Sequence, residues 1–306
     1  MKLHFLASTL LTLGICATAE AQVRIEHVDA RVGDVSLTGN AQNEDLAYFA
    51  LTRQVGSEAG AVWLNGQRDL SLGFQLDLDV TLDPPDVPGI PPQSARGADG
   101  IVIVFQKQGQ NAIGTAGQGM GAYRNNVYGG SGIQNGFGIE LDTFENQNDC
   151  AAPHIGVQGM YLTGEMSGEN AQSLVPCALL PERVVGYHQL RIVYDAGTLT
   201  VYLDNIQRLH QPFAWPLLDA NVFVGVTAGS GAIHEAQAHS LYSMDLRRRL
   251  RPTTHPLSCE VADWSLNGEV SVHDIFSFLA SYFSPGGSLT LGDLFAFLDS
   301  FFLCRH

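Results

Sequence analysis

The sequence predicts an all-β sandwich followed by a small α-helical module, and three observations carry that reading. Between Gln22 and about Asp245 the chain is a series of short apolar runs rich in Val, Ile, Tyr and Phe, separated by Gly, Asn, Asp and Pro. No segment in that span keeps a helical period over several turns. Beyond residue 258 the apolar spacing changes from a period of about 2 to one of about 3.6.

The chain has 306 residues, 45% hydrophobic and 15% charged, which suits one large domain plus a small one and excludes disorder, collagen and a membrane bundle. Lys and Arg total 16 against 31 for Asp and Glu, a formal charge of −15, and four of these bases crowd into Arg247, Arg248, Arg249 and Arg251. So acidic a chain has little basic surface for a nucleic-acid groove, and no nucleic-acid partner is expected. Residues 1–21 carry one cation, Lys2, then an apolar run and a small-residue cleavage signal at Ala19-Glu20-Ala21. This is the pattern of a secretory signal peptide ending before Gln22, so the protein is expected to be secreted or at the cell surface. A transmembrane anchor needs about 20 apolar residues, whereas Ser, Thr and Gly interrupt this run; no membrane insertion of the mature chain is expected.

Removal of Cys16 with the signal leaves Cys150, Cys177, Cys259 and Cys304, an even set in an oxidising compartment. Of the possible pairings, Cys150–Cys177 and Cys259–Cys304 keep each bridge within one proposed domain. Metal binding by these cysteines is the weaker reading, because none sits in a CxxC spacing.

The strand-like runs are, in order, GAVWL (60–64), LGFQLDLDVTL (72–82), GIVIVFQ (100–106), GFGIELDTF (136–144), HIGVQGMYL (154–162), YHQLRIVYD (187–195), LTVYLDN (199–205), VFVGVTAG (222–229) and HSLYSMDL (239–246). Eleven of the 33 glycines fall between Gly100 and Gly138, where the chain makes tight turns or brings its backbone close to another group. Residues 246–258, with the basic cluster and two prolines, read as a linker. In the helical module Ile275, Phe276, Leu279, Tyr282 and Phe283 share a stripe, and Leu294, Phe295, Leu298, Phe301 and Phe302 repeat it 19 residues later.

Most of the chemistry sits in GFGIELDTFENQNDCAAPHIGVQ, residues 136–158. In an extended strand Glu140, Asp142 and Phe144 point to one face, and the chain then turns before His154 opens the next run. Like charges on neighbouring same-face positions repel unless a cation lies between them or one takes a proton. Asp142, Asn146, Asp149 and the Phe144 carbonyl form an all-oxygen set that suits Ca2+. Adding the His154 imidazole to Glu140, Asp142 and Asp149 suits a transition metal such as Mn2+.

The stretch DTFENQND (142–149), with Glu140 two residues before and His154 five after, resembles the metal loop of the L-type (legume-like) lectins. The resemblance extends over about 22–245 and implies a concanavalin-like jelly-roll sandwich that binds glycans and does no chemistry on them. It further implies a cis peptide between Ala98 and Asp99, with the Asp99 carboxylate accepting hydrogen bonds from sugar hydroxyls. Asn146 would bridge calcium and sugar, the Phe144 ring would stack on it, and a backbone N–H from Gly117 or Gly119 would donate. The loop Gly229–Glu235, including Gly231 and Ala232, would supply the variable contacts; its His234 is as well read as a solvated loop residue. Cys150 stands where legume lectins often have proline, and SLYSM with Asp245 replaces their usual Trp-containing last strand.

A second sandwich family, the laminarinase-type β-glucanases, carries its catalytic glutamates in an E-x-D-x-x-E strand, and Glu140, Asp142 and Glu145 have that spacing. Retaining hydrolysis needs two carboxyls about 5–5.5 Å apart, and strict alternation puts Glu145 on the face opposite Glu140. Tryptophans for a sugar-gripping cleft are few: Trp63, Trp215 and Trp264. The chain has no G-x-S-x-G nucleophile motif, and GQGMG lacks the helix of a dinucleotide fingerprint. The lectin reading is therefore preferred, with β-glucanase as the alternative.

In residues 263–274, DWSLNGEVSVHD, Asp263, Ser265, Asn267 and Asp274 fall at positions 1, 3, 5 and 12 of a calcium loop, with Gly268 at its sharp turn. Asp at the last position and the loop–helix duplication resemble dockerin modules, which implies a cohesin-like or surface docking partner. The second copy, with Tyr282, Ser284, Gly286 and Asp293, has lost half its ligands, so one Ca2+ is expected here. Cys259 and Cys304 would clamp the ends of a module too small to bury enough surface alone. Phe278 and Phe297, off the main stripe, are expected to form the docking face.

Overall fold

The structure is a computed structural model of the chain, and it describes residues 25–29, 35–44, 47–83, 97–125, 130–146, 149–160, 173–181, 183–217, 221–232, 236–249 and 275–279. Among the described residues sixteen strands follow in chain order: β1 (Ile25–Asp29), β2 (Val35–Gly39), β3 (Gln42–Glu44), β4 (Tyr48–Thr52), β5 (Ala59–Leu64), β6 (Arg68–Asp69), β7 (Phe74–Asp83), β8 (Asp99–Gln106), β9 (Gly136–Asp142), β10 (His154–Met160), β11 (Ser173–Leu179), β12 (Gly186–Asp195), β13 (Thr198–Leu203), β14 (Ile206–Pro212), β15 (Asn221–Ser230) and β16 (Ala238–Arg249). They form two antiparallel sheets. The back sheet runs β14-β13-β12-β7-β16-β4-β3 with β1 on β16, and the front sheet runs β11-β10-β9-β8-β15-β5-β2 with β6 on β15. This is an all-β jelly-roll sandwich.

Alternation builds the core. Along β7, Leu76, Leu78, Val80 and Leu82 are buried, while Gln75, Asp77 and Asp79 face outward. Opposite them lie Ile101, Ile103 and Phe105 of β8 and Phe137, Ile139 and Leu141 of β9. Aromatic rings close one part of the core, with Phe105 stacked on Phe137 at 4.8 Å and Trp215 edge-on to Phe137 at 5.2 Å. The front sheet is covered on its other face too. Ala61, Trp63, Val102 and Val104 pack there beneath Ala112, Met120, Tyr123 and Ile133, and the Trp63 indole donates to the Ala112 carbonyl at 3.0 Å. Burial on both faces explains why β8 and β9 read as nearly unbroken apolar runs rather than as alternating ones.

The structure departs from the sequence reading in several places. The last strand does not stop at Asp245: β16 continues through Arg249, pairs with β1 over Ile25–Asp29, and buries Leu246 against the core. Residues 246–249 are therefore strand rather than linker, because Leu246 prolongs the in–out alternation between outward-facing charged side chains. Strands β1 to β4, β6, β11 and β14 escaped the sequence reading, being short, polar or edge segments. Trp63 and Trp215 serve the core and form no sugar-gripping cleft.

The signal segment 1–21, Cys259, Cys304, Trp264 and the calcium-loop residues Asp263, Ser265, Asn267 and Asp274 lie outside the described residues. Within the C-terminal module residues 275–279 are helical, as the periodicity predicts. Their exposure reverses the expectation for the docking face: Phe278 is 1% exposed and Phe276, on the expected buried stripe, is 65% exposed. Among the described residues no helix is long and apolar enough to cross a membrane.

Two stability predictions follow from the back sheet. Leu246→Ala removes a fully buried side chain and should cost about 2–5 kcal/mol in urea unfolding, whereas a linker residue would cost almost nothing. His239 is fully buried with Nδ1 2.7 Å from the Thr52 hydroxyl, and burial pushes its pKa down from 6.5 to about 3. The unfolded chain takes up a proton near 6.5 that the folded chain refuses, so this contribution is full above that pH and is lost as pH falls from there toward 3. Unfolding free energy should drop by about 2 kcal/mol between pH 7 and pH 5 on this account, and His239→Gln should remove that part of the slope.

Candidate metal and ligand site

The site lies where β8, β9 and β10 end side by side. Their register places Gly100 opposite Asp142, and Asp142 opposite His154. With alternation, Glu140 and Asp142 of β9 share the outer face of the front sheet with His154 and Gln158 of β10. All four are buried, Glu140 to 1% exposure.

His154 Nε2 stands 3.4 Å from Glu140 Oε1 and 3.5 Å from Asp149 Oδ1, and the side chains of all three are fully buried. Gln158 Nε2 donates to Glu140 Oε1 at 3.0 Å, and the Phe144 N–H donates to Asp142 Oδ1 at 2.7 Å. Asn146 Nδ2 reaches Asp99 Oδ1 at 3.5 Å and the Phe144 carbonyl at 3.4 Å. The peptide bond between Ala98 and Asp99 is cis.

Three segments distant in sequence meet around Asp99. The Thr143 hydroxyl, with one proton to give, lies within hydrogen-bond reach of the carbonyls of Asp99 at 3.0 Å and Gly97 at 3.2 Å and of Gln237 Oε1 at 3.0 Å. The Thr143 N–H donates to the Asp99 carbonyl, and the Gly231 N–H to the Ala98 carbonyl. Gly117, in a 3-10 turn at Gly117–Gly119 with φ +66°, lies over Asp99, since a Cβ built there would stand 3.9 Å from Asp99 Oδ2. The Gly119 N–H donates to the Ala116 carbonyl. Ala232 is exposed at the rim; residues 233–235, His234 among them, lie outside the described residues.

A family model for the legume lectin beta-barrel domain matches residues 30–243. The chain belongs to the legume lectin domain family. Solved structures of the same fold include peanut lectin with a nonapeptide, at 17% identity, TM-score 0.56, 73% of this chain and 97% of that one. Winged bean acidic lectin with methyl-α-D-galactose has 17% identity, TM-score 0.56, 73% of this chain and 98% of that one. The VIP36 exoplasmic/lumenal domain in a Ca2+/Man-bound form has 17% identity and TM-score 0.53, over 73% of this chain and 86% of that one. A stretch of 126 residues, 41% of the chain, is 29% identical to the pesticidal crystal protein Cry22Aa of Bacillus thuringiensis. That stretch spans only 14% of the Bacillus protein.

The residues of this lectin domain fit a metal. Glu140 Oε2, Asp149 Oδ2 and His154 Nδ1 are buried without a hydrogen-bond partner among the described residues, and buried carboxylates cost several kcal/mol each unless a cation offsets them. Gly156, opposite Glu140, leaves that carboxylate its space: a Cβ there would stand 2.1 Å from Glu140 Oε1. Glu140, Asp142, Asp149 and His154 offer the mixed nitrogen and oxygen donors of a transition-metal site, and Asp142, Asn146, Asp149 and the Phe144 carbonyl the hard oxygens of a calcium site. Cys150, beside this cluster, is not a thiolate ligand, because it is bridged to Cys177. That disulfide, expected from the sequence, ties the residue next to Asp149 to β11.

One sequence expectation fails in detail. Strand β9 ends at Asp142, so Phe144 does not continue the face of Glu140 and Asp142; it lies in the loop and lines a cavity of about 310 Å³ with Gly97, Thr143, Glu145, Arg183 and Gln237. The sequence reading also missed Gln158 and Gln237. Gln158 was legible, because His154, Gly156 and Gln158 alternate onto the face of Glu140. Gln237 carries no local signal, since its contact to Thr143 spans 94 residues.

Gly156→Ala should force the Glu140 carboxylate aside and lower stability by about 1–3 kcal/mol in chemical unfolding, although alanine suits a strand no worse than glycine.

Proposed function

We propose that this protein is a secreted, calcium-dependent lectin that binds glycans without acting on them. The observation that carries this reading is the meeting of Asp99 and Asn146 beside the buried carboxylates of Glu140 and Asp149, each of which has an oxygen without a hydrogen-bond partner among the described residues. Asp142, Asn146, Asp149 and the Phe144 carbonyl would hold calcium, and Glu140 and His154 would complete a second, Mn2+-type site with Asp142 and Asp149. Calcium there would neutralise the carboxylates and fix the loop that presents Asn146. Asp99 would accept from sugar hydroxyls, the Gly117 N–H would donate, the Phe144 ring would stack, and Gly231 and Ala232 would border the saccharide. Related folds solved with mannose and with methyl-α-D-galactose support a saccharide as the ligand class. The C-terminal segment 259–306 is proposed as a dockerin-like module with one Ca2+ at Asp263, Ser265, Asn267 and Asp274, clamped by Cys259–Cys304.

The β-glucanase alternative finds no support in the geometry. Glu140 is sealed beneath Gln158 and His154, whereas Glu145 is exposed and lines the neighbouring cavity, so the two do not flank a common open cleft.

A shallow site of this kind binds weakly at a single subunit, so retention on a glycan surface needs multivalency. Calcium should raise the melting temperature relative to EDTA. On a glycan array, binding should be lost both in EDTA and in Asp99→Ala, by at least about tenfold, with the variant's melting temperature in calcium unchanged. The reading fails if no glycan shows binding that depends on both.

A further inference from the structure

The outer face of the back sheet carries a second set of features that the metal site does not use. Alternation along β7, β12, β16 and β4 brings Asp77, Asp79, Tyr187, Gln189 and Arg191 to that face, with Tyr48 and Asp245. A register shift between Leu241 and Ser243 adds Tyr242 and Ser243 to it. Tyr48 and Tyr242 lie 5.2 Å apart between ring centroids, and Tyr187 and Tyr242 6.3 Å apart. The row they form reaches from β12 across β7 and β16 to β4. Tyr187 is 56% exposed and Tyr242 37%, far above what a packed sheet face needs.

The charged groups on this face are engaged with one another or with neutral donors. Arg191 pairs with Asp77 at 2.6 Å and Arg247 with Asp245 at 2.8 Å. Asp79 accepts from the Tyr187 hydroxyl at 2.7 Å, from Gln189 at 3.1 Å and from Ser243 at 2.6 Å. In a chain of formal charge −15, such a surface repels polyanions, and it engages its carboxylates before a cationic partner could. What remains on offer is aromatic ring faces flanked by fixed planar amide, carboxylate and guanidinium edges, with a cavity of about 260 Å³ alongside that Asn205 helps to line. Ring faces suit the C–H faces of pyranoses, and the polar edges suit their hydroxyls. A second copy of this chain is the poorer match, because a stable dimer buries about 800 Å² per partner around an apolar centre, and here a row of tyrosines is set among ion pairs.

We propose that this face is a second saccharide-binding surface, which takes a neutral polysaccharide chain lying across β12, β7, β16 and β4 without a metal ion. It is on the opposite sheet from Asp99, so the two sites are independent. The test is depletion of the full chain by insoluble cellulose, xylan, mannan and β-1,3-glucan, all in EDTA. At least one should retain the protein. The Tyr187→Ala/Tyr242→Ala double variant should bind it at least about tenfold more weakly, and retention should be the same in calcium as in EDTA. Should the double variant fold poorly, nitration of the unaltered chain gives the same answer, because bound polysaccharide should shield Tyr187 and Tyr242. Retention by none of the four, retention indifferent to the double variant with no shielding, or a dimer that the double variant dissociates would each overturn the proposal. None of these results touches the metal-dependent site, whose own test reads Asp99.

Discussion

The register of β8, β9 and β10 is the constraint on which the candidate site depends. Gly100 opposite Asp142 and Asp142 opposite His154 bring the Asp99 carboxylate, the Asp142 carboxylate and an imidazole to one end of the front sheet. A slip of a single residue would turn Glu140 and Asp142 into the hydrophobic core and Ile139 and Leu141 out toward the covering loops. The core forbids that slip, because Phe137, Ile139 and Leu141 already fill the space between the sheets. Hydrophobic burial on one face therefore fixes the position of charge on the other. That charge is strained electrostatically as the protein alone arranges it, since Glu140, Asp142 and Asp149 converge where water is excluded.

Around this row the backbone, more than the side chains, closes the site. Gly100 has φ +147°, and a Cβ there would come within 2.3 Å of the Leu141 carbonyl, so only glycine lets β8 begin this close to the end of β9. The carbonyls on either side of the Ala98–Asp99 peptide are both engaged: that of Ala98 by the N–H groups of Gly231 and Gln237, that of Asp99 by Thr143. Asp99 is thus held from three directions by segments that are far apart in the chain. The Cys150–Cys177 bridge does the corresponding work on the far side of the loop, fixing the residue next to Asp149 to an edge strand.

Much of this was legible in the sequence, and the reasons separate cleanly. Strands β5, β7, β8, β9, β10, β12, β13, β15 and β16 announced themselves because half or all of their residues meet the core. The clustering of Glu140, Asp149 and His154 was legible because these residues are local, held by strand alternation and one turn. The first disulfide followed from parity and domain membership. What escaped was set by tertiary context. Nothing in LRRR marks a strand, and only its pairing with β1 and β7 makes it one. Phe144 obeyed alternation on paper, but Thr143 turns back to Asp99 and ends the strand two residues sooner. Gln237 is invisible without the fold, because its only signal is what it touches.

The two sheets solve opposite problems, and this shapes what each can bind. The front sheet is covered on both faces, so its polar groups are costly unless satisfied, and the residues that cannot satisfy one another form a small, buried polar cluster. On the back sheet one face stays in water, where each charged group can pair with a neighbour across the strands at little cost and the rings are left as the main surface not already engaged. A site of the first kind discriminates, because every donor is fixed before the ligand arrives. One of the second kind holds a long repeating ligand loosely at several points, which is the property multivalent capture requires. Were both kinds of site to engage one polysaccharide, membership of one chain would raise the effective concentration of each for a chain that the other had already found.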